Sequence, residues 1–212
     1  MVVLVFYPTQ VPVQRAWAIS HPTRQTVFIL ADPEFLLNLC AHTVLRYADA
    51  NKPALAALLQ RYGMEIQEVE AGDTIPGSFW GDEEAGLVGN RLLLRADTPL
   101  HSALHEACHY ICMDEARRCD LDTNAGGDYD EENVVCYLQI LLAGQLAGFG
   151  ADRMMQDMDA WGYSFRLGST RAWFEQDAGD ARQAALEWQL IDAFGQPTFR
   201  LRDAGTARTW HG

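Results

Sequence analysis

The sequence predicts an α+β fold, with a short sheet in its first half and helices concentrated in its second. Three observations lead there. Apolar runs suited to strands occur at residues 2–7 and 24–30, where they are β-branched, and at 90–96, where leucines form the centre. Beyond residue 98 the chain carries successive capped segments with helical spacing of apolar residues. No internal repeat or low-complexity linker divides it, so residues 1–212 read as one domain. Within it, residues 1–97 hold strands and two helices, 98–195 are mostly helical, and 196–212 form a polar tail.

Composition narrows the function classes. An apolar content of 49% supports a substantial core. The net charge of −13, with no run of Lys and Arg, argues against nucleic acid and anionic membrane surfaces as partners. No stretch reaches the length of a membrane span. The opening MVVLVFY lacks a basic leader and stops at Pro8, which suits a first strand better than a signal peptide. Five cysteines (Cys40, Cys108, Cys112, Cys119 and Cys136) are an odd set in a chain of this size. They read as reduced, partly buried thiols, and a cytoplasmic location is expected.

In chain order, Asp32 and Pro33 open a helix whose apolar face runs from Phe35 and Leu36 to Val44 and Leu45. Asn51 and Pro53 open a second, which ends at Gly63. Met64, Ile66 and Val69 mark a strand at 64–70 with one buried face, and the glycine-rich 75–89 contains a turn or hairpin around Phe79 and Trp80. The run NRLLLRA at 90–96 is a strand with a continuous apolar centre. Thr98 as cap and Pro99 in the first turn then start a helix, one flank of which packs through Leu104, Ala107, Cys108 and Ile111. After a polar segment at 114–128, helices are expected at 130–146, 151–161, 170–177 and 180–194, with Gly162 closing the second of these.

The helix after Pro99 contains His105-Glu106-Ala107-Cys108-His109, an H-E-x-x-H pentapeptide. Imidazoles at i and i+4 share a helix face and can share one metal ion, while the Glu between them can serve as a base toward a metal-activated water. At ordinary composition a match by chance in a chain of this length has odds of about one per cent. The bland alternative is a helix with two surface histidines around a solvated Glu.

Catalytic zinc usually takes three protein ligands, so one more must come from elsewhere. Asp114 and Glu115 stand where a Gly and His would place a third histidine, and that pattern is absent. The next helix instead offers DYDEENVVCYLQILL. Here the sequence resembles the zincin-like metallopeptidases of the gluzincin type, across residues 90–146. Their third ligand is a Glu in the pattern Glu-x-x-Ala-Asp/Asn-x-Phe-Ala, whose outline is followed by Glu131-Glu132-Asn133-Val134-Val135-Cys136-Tyr137-Leu138. The resemblance implies zinc on His105, His109 and Glu131, with Glu106 as general base in peptide hydrolysis. Val134 and Val135 depart from the pattern, so the register stays open, with Glu132 the alternative ligand. Glu131 also has a structural reading, a capping box with Asp128. The resemblance further implies that the strand at 90–96 is an edge strand on which an extended polypeptide substrate aligns.

Tyr163, Arg166 and Tyr137 are the candidates for stabilising the developing oxyanion. Cys108, Cys112 and Cys136 read as packing residues rather than metal ligands or nucleophiles. His101 reads as exposed near the helix start. The aromatics Trp161, Tyr163, Phe165, Trp173 and Phe174 belong mainly to the core, as does the Met154, Met155 and Met158 group. The competing functional reading is a domain that keeps the fold, with or without the metal, but acts by binding a protein partner or as a regulatory module.

Overall fold

A computed structural model describes residues 43–79 and 81–203. The strands expected at 2–7 and 24–30, Cys40, Trp80 and most of the first expected helix lie outside those residues. That helix's last positions, Val44 and Leu45, are described and are not helical. Leu45 is a tie between elements instead: its N–H donates to Asp157 Oδ2 at 2.8 Å, and its carbonyl accepts from Leu100 N at 2.8 Å.

The architecture is α+β. Among the described residues, a three-stranded sheet comes early in the chain and seven α-helices follow or flank it, mostly in the second half. A 3₁₀ turn at Tyr47–Asp49 leads to α1 (Lys52–Gln60), whose cap is the Asn51 side chain, accepting from Ala54 N. The chain then leaves through Gly63, whose φ of +71° is left-handed. β1 (Glu65–Val69) pairs in parallel with β3 (Arg91–Arg95), and β2 (Gly86–Val88) pairs with β3 in antiparallel fashion. The spatial order is therefore β1-β3-β2.

That order explains β3. Leu92, Leu93 and Leu94 are all buried, so the run reads as unbroken apolar rather than alternating. The strand expected at 64–70 forms, but its buried face is weaker than the sequence suggests. Met64 is buried, whereas Ile66 and Val69 are only half-buried because β1 borders the sheet among the described residues.

β3 feeds α2 (Leu100–Cys112) through a tight connection. The helix starts one residue later than expected, because Thr98 Oγ1 is taken by Arg95 N at 3.0 Å and cannot cap. Pro99 occupies the cap position, and the Leu45 carbonyl receives the first helical N–H. The 3₁₀ turn fastens this junction by donating Tyr47 N to Thr98 O and Ala48 N to Ala96 O. Every residue of α2 except Tyr110 is buried, which makes it the central helix of the domain.

The polar segment after α2 contains a short helix the sequence did not announce, α3 (Glu115–Cys119), capped by Asp114 accepting from Arg117 N. Next come α4 (Tyr129–Ala143), capped by Asp128, and α5 (Gly150–Trp161), ended by left-handed Gly162 at φ +106°. α6 (Thr170–Gln176) is capped by Ser169. α7 (Gly179–Glu187) stops well before residue 194, where Gln189 turns the backbone to φ +58°. α4 lies beside α2 and also packs on α5 and α7, so the two helices carrying the acidic and histidine motifs share the core. Each large aliphatic buried there, Leu104, Ile111, Leu138 or Ile140, contributes about 1.5–3 kcal/mol.

Residues 198–203 are not a loose tail. Phe199 packs on Tyr62 at 5.5 Å between ring centroids, and Arg202 N donates to Ile111 O at 3.0 Å.

Candidate metal centre

α2 presents His105 and His109 one turn apart, with rings nearly perpendicular and centroids 4.7 Å apart. Their Nε2 atoms are separated by 3.2 Å. From α4 the Glu132 carboxylate straddles the pair, with Oε1 3.3 Å from His105 Nε2 and Oε2 3.4 Å from His109 Nε2. Three donors bound tetrahedrally at about 2.0–2.1 Å stand about 3.3–3.4 Å from one another. The two nitrogens stand close to that spacing, and a different oxygen of Glu132 lies nearest each of them. One ligand atom from each residue falls within 4.8 Å of the others, so His105, His109 and Glu132 can hold one metal ion.

The orientation of His105 is fixed from behind. Its Nδ1 lies 2.7 Å from Gln139 Oε1, while Gln139 Nε2 donates to Met158 Sδ at 2.9 Å. An amide oxygen only accepts, so the His105 proton sits on Nδ1 and the Nε2 lone pair faces the other donors. With the His105 Nε2 lone pair turned inward, the space between it, His109 Nε2 and the carboxylate is suited to a proton on His109 Nε2 or to a cation. The donor set of two imidazoles and a carboxylate suits zinc and neighbouring first-row ions. His109 is buried and its pKa lies well below the ordinary range, first because of burial and then because of His105. Its neutral form is thus the one favoured for ligation. Its Nδ1 has no hydrogen-bond partner among the described residues.

The expected third ligand, Glu131, is not brought to the histidines. It points to the opposite side of the α4 start and accepts from Arg117 Nη2 at 2.7 Å on both oxygens and from Arg202 Nη1 at 2.9 Å. Consecutive helical residues diverge by about 100°, so only one of the two glutamates can face α2. Of the two, Glu132 is the one that faces the histidines.

Glu106 is buried, and burial raises its pKa to about 7; His105 lowers it, while Glu132 and Glu84 raise it. A carboxylate so tuned is poised to exchange a proton near neutral pH. Glu84, from the loop before β2, accepts from Trp161 Nε1 at 3.3 Å and is likewise shifted upward by burial.

Other expectations resolve individually. His101 is buried rather than exposed, since α2 is enclosed on all sides. Its ring lies 5.0 Å from Trp161 and 5.7 Å from Tyr163, and neither nitrogen has a hydrogen-bond partner among the described residues. Tyr163 lies at the site, 5.8 Å from the His105 ring, whereas Arg166 pairs with Asp177 and Tyr137 stacks on Phe174. Cys108, Cys112 and Cys136 are buried thiols whose pKa values burial pushes well up, which suits packing and not nucleophilic attack. The strand expected to align a substrate, β3, is the middle strand, with both edges paired. Nor does β2 offer a free edge, because Leu87 N donates to Gly77 O and Leu87 O accepts from Thr123 N.

Fold and site together define an α+β domain carrying a candidate metal centre of two imidazoles and one carboxylate. No protein-family model, curated protein or solved structure matches the chain. Among the described residues no helix is long and apolar enough to cross a membrane.

Proposed function

We propose that this chain is a zinc-dependent hydrolase of peptide bonds, with zinc on His105, His109 and Glu132 and with Glu106 as general base. The observation that carries the reading is the convergence of His105, His109 and Glu132, one ligand atom of each within 4.8 Å of the others, beside a buried carboxylate. A zinc ion bound there supplies Lewis acidity and an acidified water, with a pKa of roughly 7. Glu106 accepts the proton of the attacking water and returns it to the departing amine. His105, held by Gln139, and the neutral His109 keep their donors aimed at one point. Tyr163, beside His105, is the candidate to donate to the oxyanion.

The choice of peptides rests on the resemblance of the two helices to the gluzincin pattern. It does not rest on a substrate strand, since β3 has both edges occupied. That same observation favours a second reading, a metal-bearing domain that binds a protein partner without cleaving it. The four free thiols among the described residues fit a reducing, cytoplasmic compartment for either.

One experiment separates these readings. Purified protein is expected to carry about one zinc per chain, and Glu106→Gln to retain the zinc but lose hydrolysis of a peptide library. A wild type that binds no metal under gentle purification refutes the hydrolase and leaves a partner-binding domain only in its metal-free form. A wild type that binds zinc but cleaves nothing leaves the partner-binding domain.

A further inference from the structure

The glutamate that does not face the histidines is buried with two arginines, and the three connect both ligand-bearing helices. Glu131 is only 5% exposed. Arg117, on α3, grips both of its oxygens and also donates to Ala125 O at 3.3 Å. Arg202 comes from the far end of the described chain. Its backbone N–H donates to Ile111 O and its Nη1 to Cys112 O at 3.2 Å, so it occupies carbonyls of the last turn of α2. The same Nη1 reaches Glu131 Oε2, in the first turn of α4. The guanidinium lies over the Trp188 ring at 3.7 Å, and Arg118 Nη2 donates to the Arg202 carbonyl at 2.7 Å. Gly127 completes the cradle: a Cβ there would come within 2.7 Å of Glu131 Oε1.

We propose that the Arg117–Glu131–Arg202 cluster sets the rotation of α4, and that Arg202 is thereby a positioning residue of the metal centre, holding Glu132 against His105 and His109. The physical basis is the angle between neighbours on a helix. With Glu131 fixed on the arginine side, Glu132 is turned about 100° toward α2. Arg117 Nη2 spans both oxygens of Glu131, while Arg202 Nη1 joins Glu131 Oε2 to the Cys112 carbonyl. A rigid planar guanidinium fixes the direction of such contacts as well as their charge, which a flexible ammonium does less well. Because Arg202 also holds the end of α2, one side chain sets the spacing of the helices that carry all three donors. The C-terminal segment, remote in sequence from the motif, is in this way part of the centre.

This inference rests on the metal-binding reading, and the test keeps the two apart. Zn²⁺ affinity is measured by competition with a chromophoric chelator for the full-length wild type, Arg202→Met, Glu132→Ala and the double variant. Far-UV circular dichroism checks folding. Arg202→Met is expected to bind Zn²⁺ about 10–100-fold more weakly, the usual effect of losing a residue that orients a ligand. Its Co²⁺ absorption spectrum is expected to shift toward that of Glu132→Ala. In the Glu132→Ala background, where the imidazoles still hold the ion weakly, Arg202→Met is expected to add little, because its effect passes through Glu132. Arg202→Lys, retaining charge without the rigid planar guanidinium, is expected to fall between wild type and Arg202→Met.

A wild type that binds no Zn²⁺ overturns the metal centre and this role with it. A wild type that binds while folded Arg202→Met binds equally well overturns only the role of Arg202. Losses that add fully in the double variant also overturn it, since they mark general destabilisation. Should Arg202→Met fail to fold, the comparison is made with Arg202→Lys and Arg117→Lys, and wild-type affinity and Co²⁺ spectra in both overturn the role.

Discussion

His105 Nδ1 and Gln139 Oε1 lie 2.7 Å apart inside the core, joining α2 to α4 directly behind the candidate metal centre. Both groups are fully committed: the imidazole donates here, and the amide nitrogen at the other end of Gln139 meets the Met158 sulfur. A buried Gln in the middle of a helix requires such partners, since an unsatisfied amide costs about 1–3 kcal/mol. The pair thus fixes both the tautomer of His105 and the depth at which α4 packs on α2.

Gln139→Leu is expected to weaken Zn²⁺ binding by about 10–100-fold, because His105 loses the acceptor that holds its ring and tautomer. Gln139→Glu keeps an acceptor at the same reach and is expected to recover much of the loss. Isothermal titration of the three proteins checks this. Equal weakening in both variants would show that the side chain acts by packing and not by accepting the Nδ1 proton.

The neighbouring glutamates are expected to fail in different ways. With metal removed by a chelator, Glu132→Ala is expected to unfold in urea close to the wild type, since it takes away a partly exposed carboxylate that faces the two histidines and, among the described residues, no arginine. It should bind no zinc at the concentrations that saturate the wild type. Glu131→Ala strands Arg117 and Arg202 and is expected to cost about 3 kcal/mol, the low end for a broken buried pair because Arg117 is partly exposed. Urea midpoints of the apo proteins, with zinc content measured in parallel, decide it. A Glu131→Ala protein as stable as Glu132→Ala contradicts the arginine clamp.

Much of this could be read in the sequence, and the exceptions have physical causes. The step from strand to motif helix is local: LLLR runs into Thr98 and Pro99, and α2 begins within one residue of that expectation. The histidine pair needs only helical periodicity. The third donor depends on the rotation of a second helix, and DYDEEN gives acidic residues on several faces of its first turn. What selects Glu132 is long-range: Arg117 and Arg202 take Glu131, and nothing near the motif signals that residue 202 returns to it. One signal was present. Gln139 interrupts an apolar helix and must face a polar partner; Glu132 stands two turns before it, on the same face. Periodicity alone also missed the burial of His101, because a helix enclosed on every side has no polar face to read. β3 was legible as a strand, but its unbroken leucines suit a central strand better than an edge.

Glu106 gives a stability signal that needs no substrate. In the folded apo protein its carboxyl titrates at about 7, pushed up first by burial, against an ordinary value near 4.5. Between those pH values the unfolded chain has released the proton and the folded chain has not, so this group favours folding below about 4.5 and loses that contribution as pH rises toward 7. Glu106→Gln is therefore expected to raise apo stability at pH 7 and above, by as much as a few kcal/mol at the linkage rate of about 1.4 kcal/mol per pH unit. Urea unfolding at pH 5 and pH 8 with chelator present checks it. A variant with no gain at pH 8 relative to pH 5 would show that Glu106 is solvated, which would remove its poise as a base.

His101 acts in the opposite direction over an overlapping range. Its pKa falls from 6.5 to about 3, first through burial, with His105 and Arg46 adding to it. The unfolded chain takes a proton as pH drops below 6.5 while the folded imidazole, enclosed between Trp161 and Tyr163, stays neutral until about 3. Its contribution to stability is complete above 6.5 and is lost as pH falls from there toward 3, at up to about 1.4 kcal/mol per pH unit. In the wild type this slope and that of the buried His109 both oppose that of Glu106 between pH 4.5 and 6.5, so apo stability is expected to rise with pH in that window. Single variants separate the two. His101→Phe, which fills the aromatic box without a titrating group, is expected to flatten that rise, leaving the opposed slopes of Glu106 and His109. Glu106→Gln is expected to steepen it over the same range, since both histidines then act unopposed. The double variant should still gain stability as pH rises, through the buried His109. Matching pH profiles for the wild type and His101→Phe would mean that His101 reaches water and is not sealed inside α2.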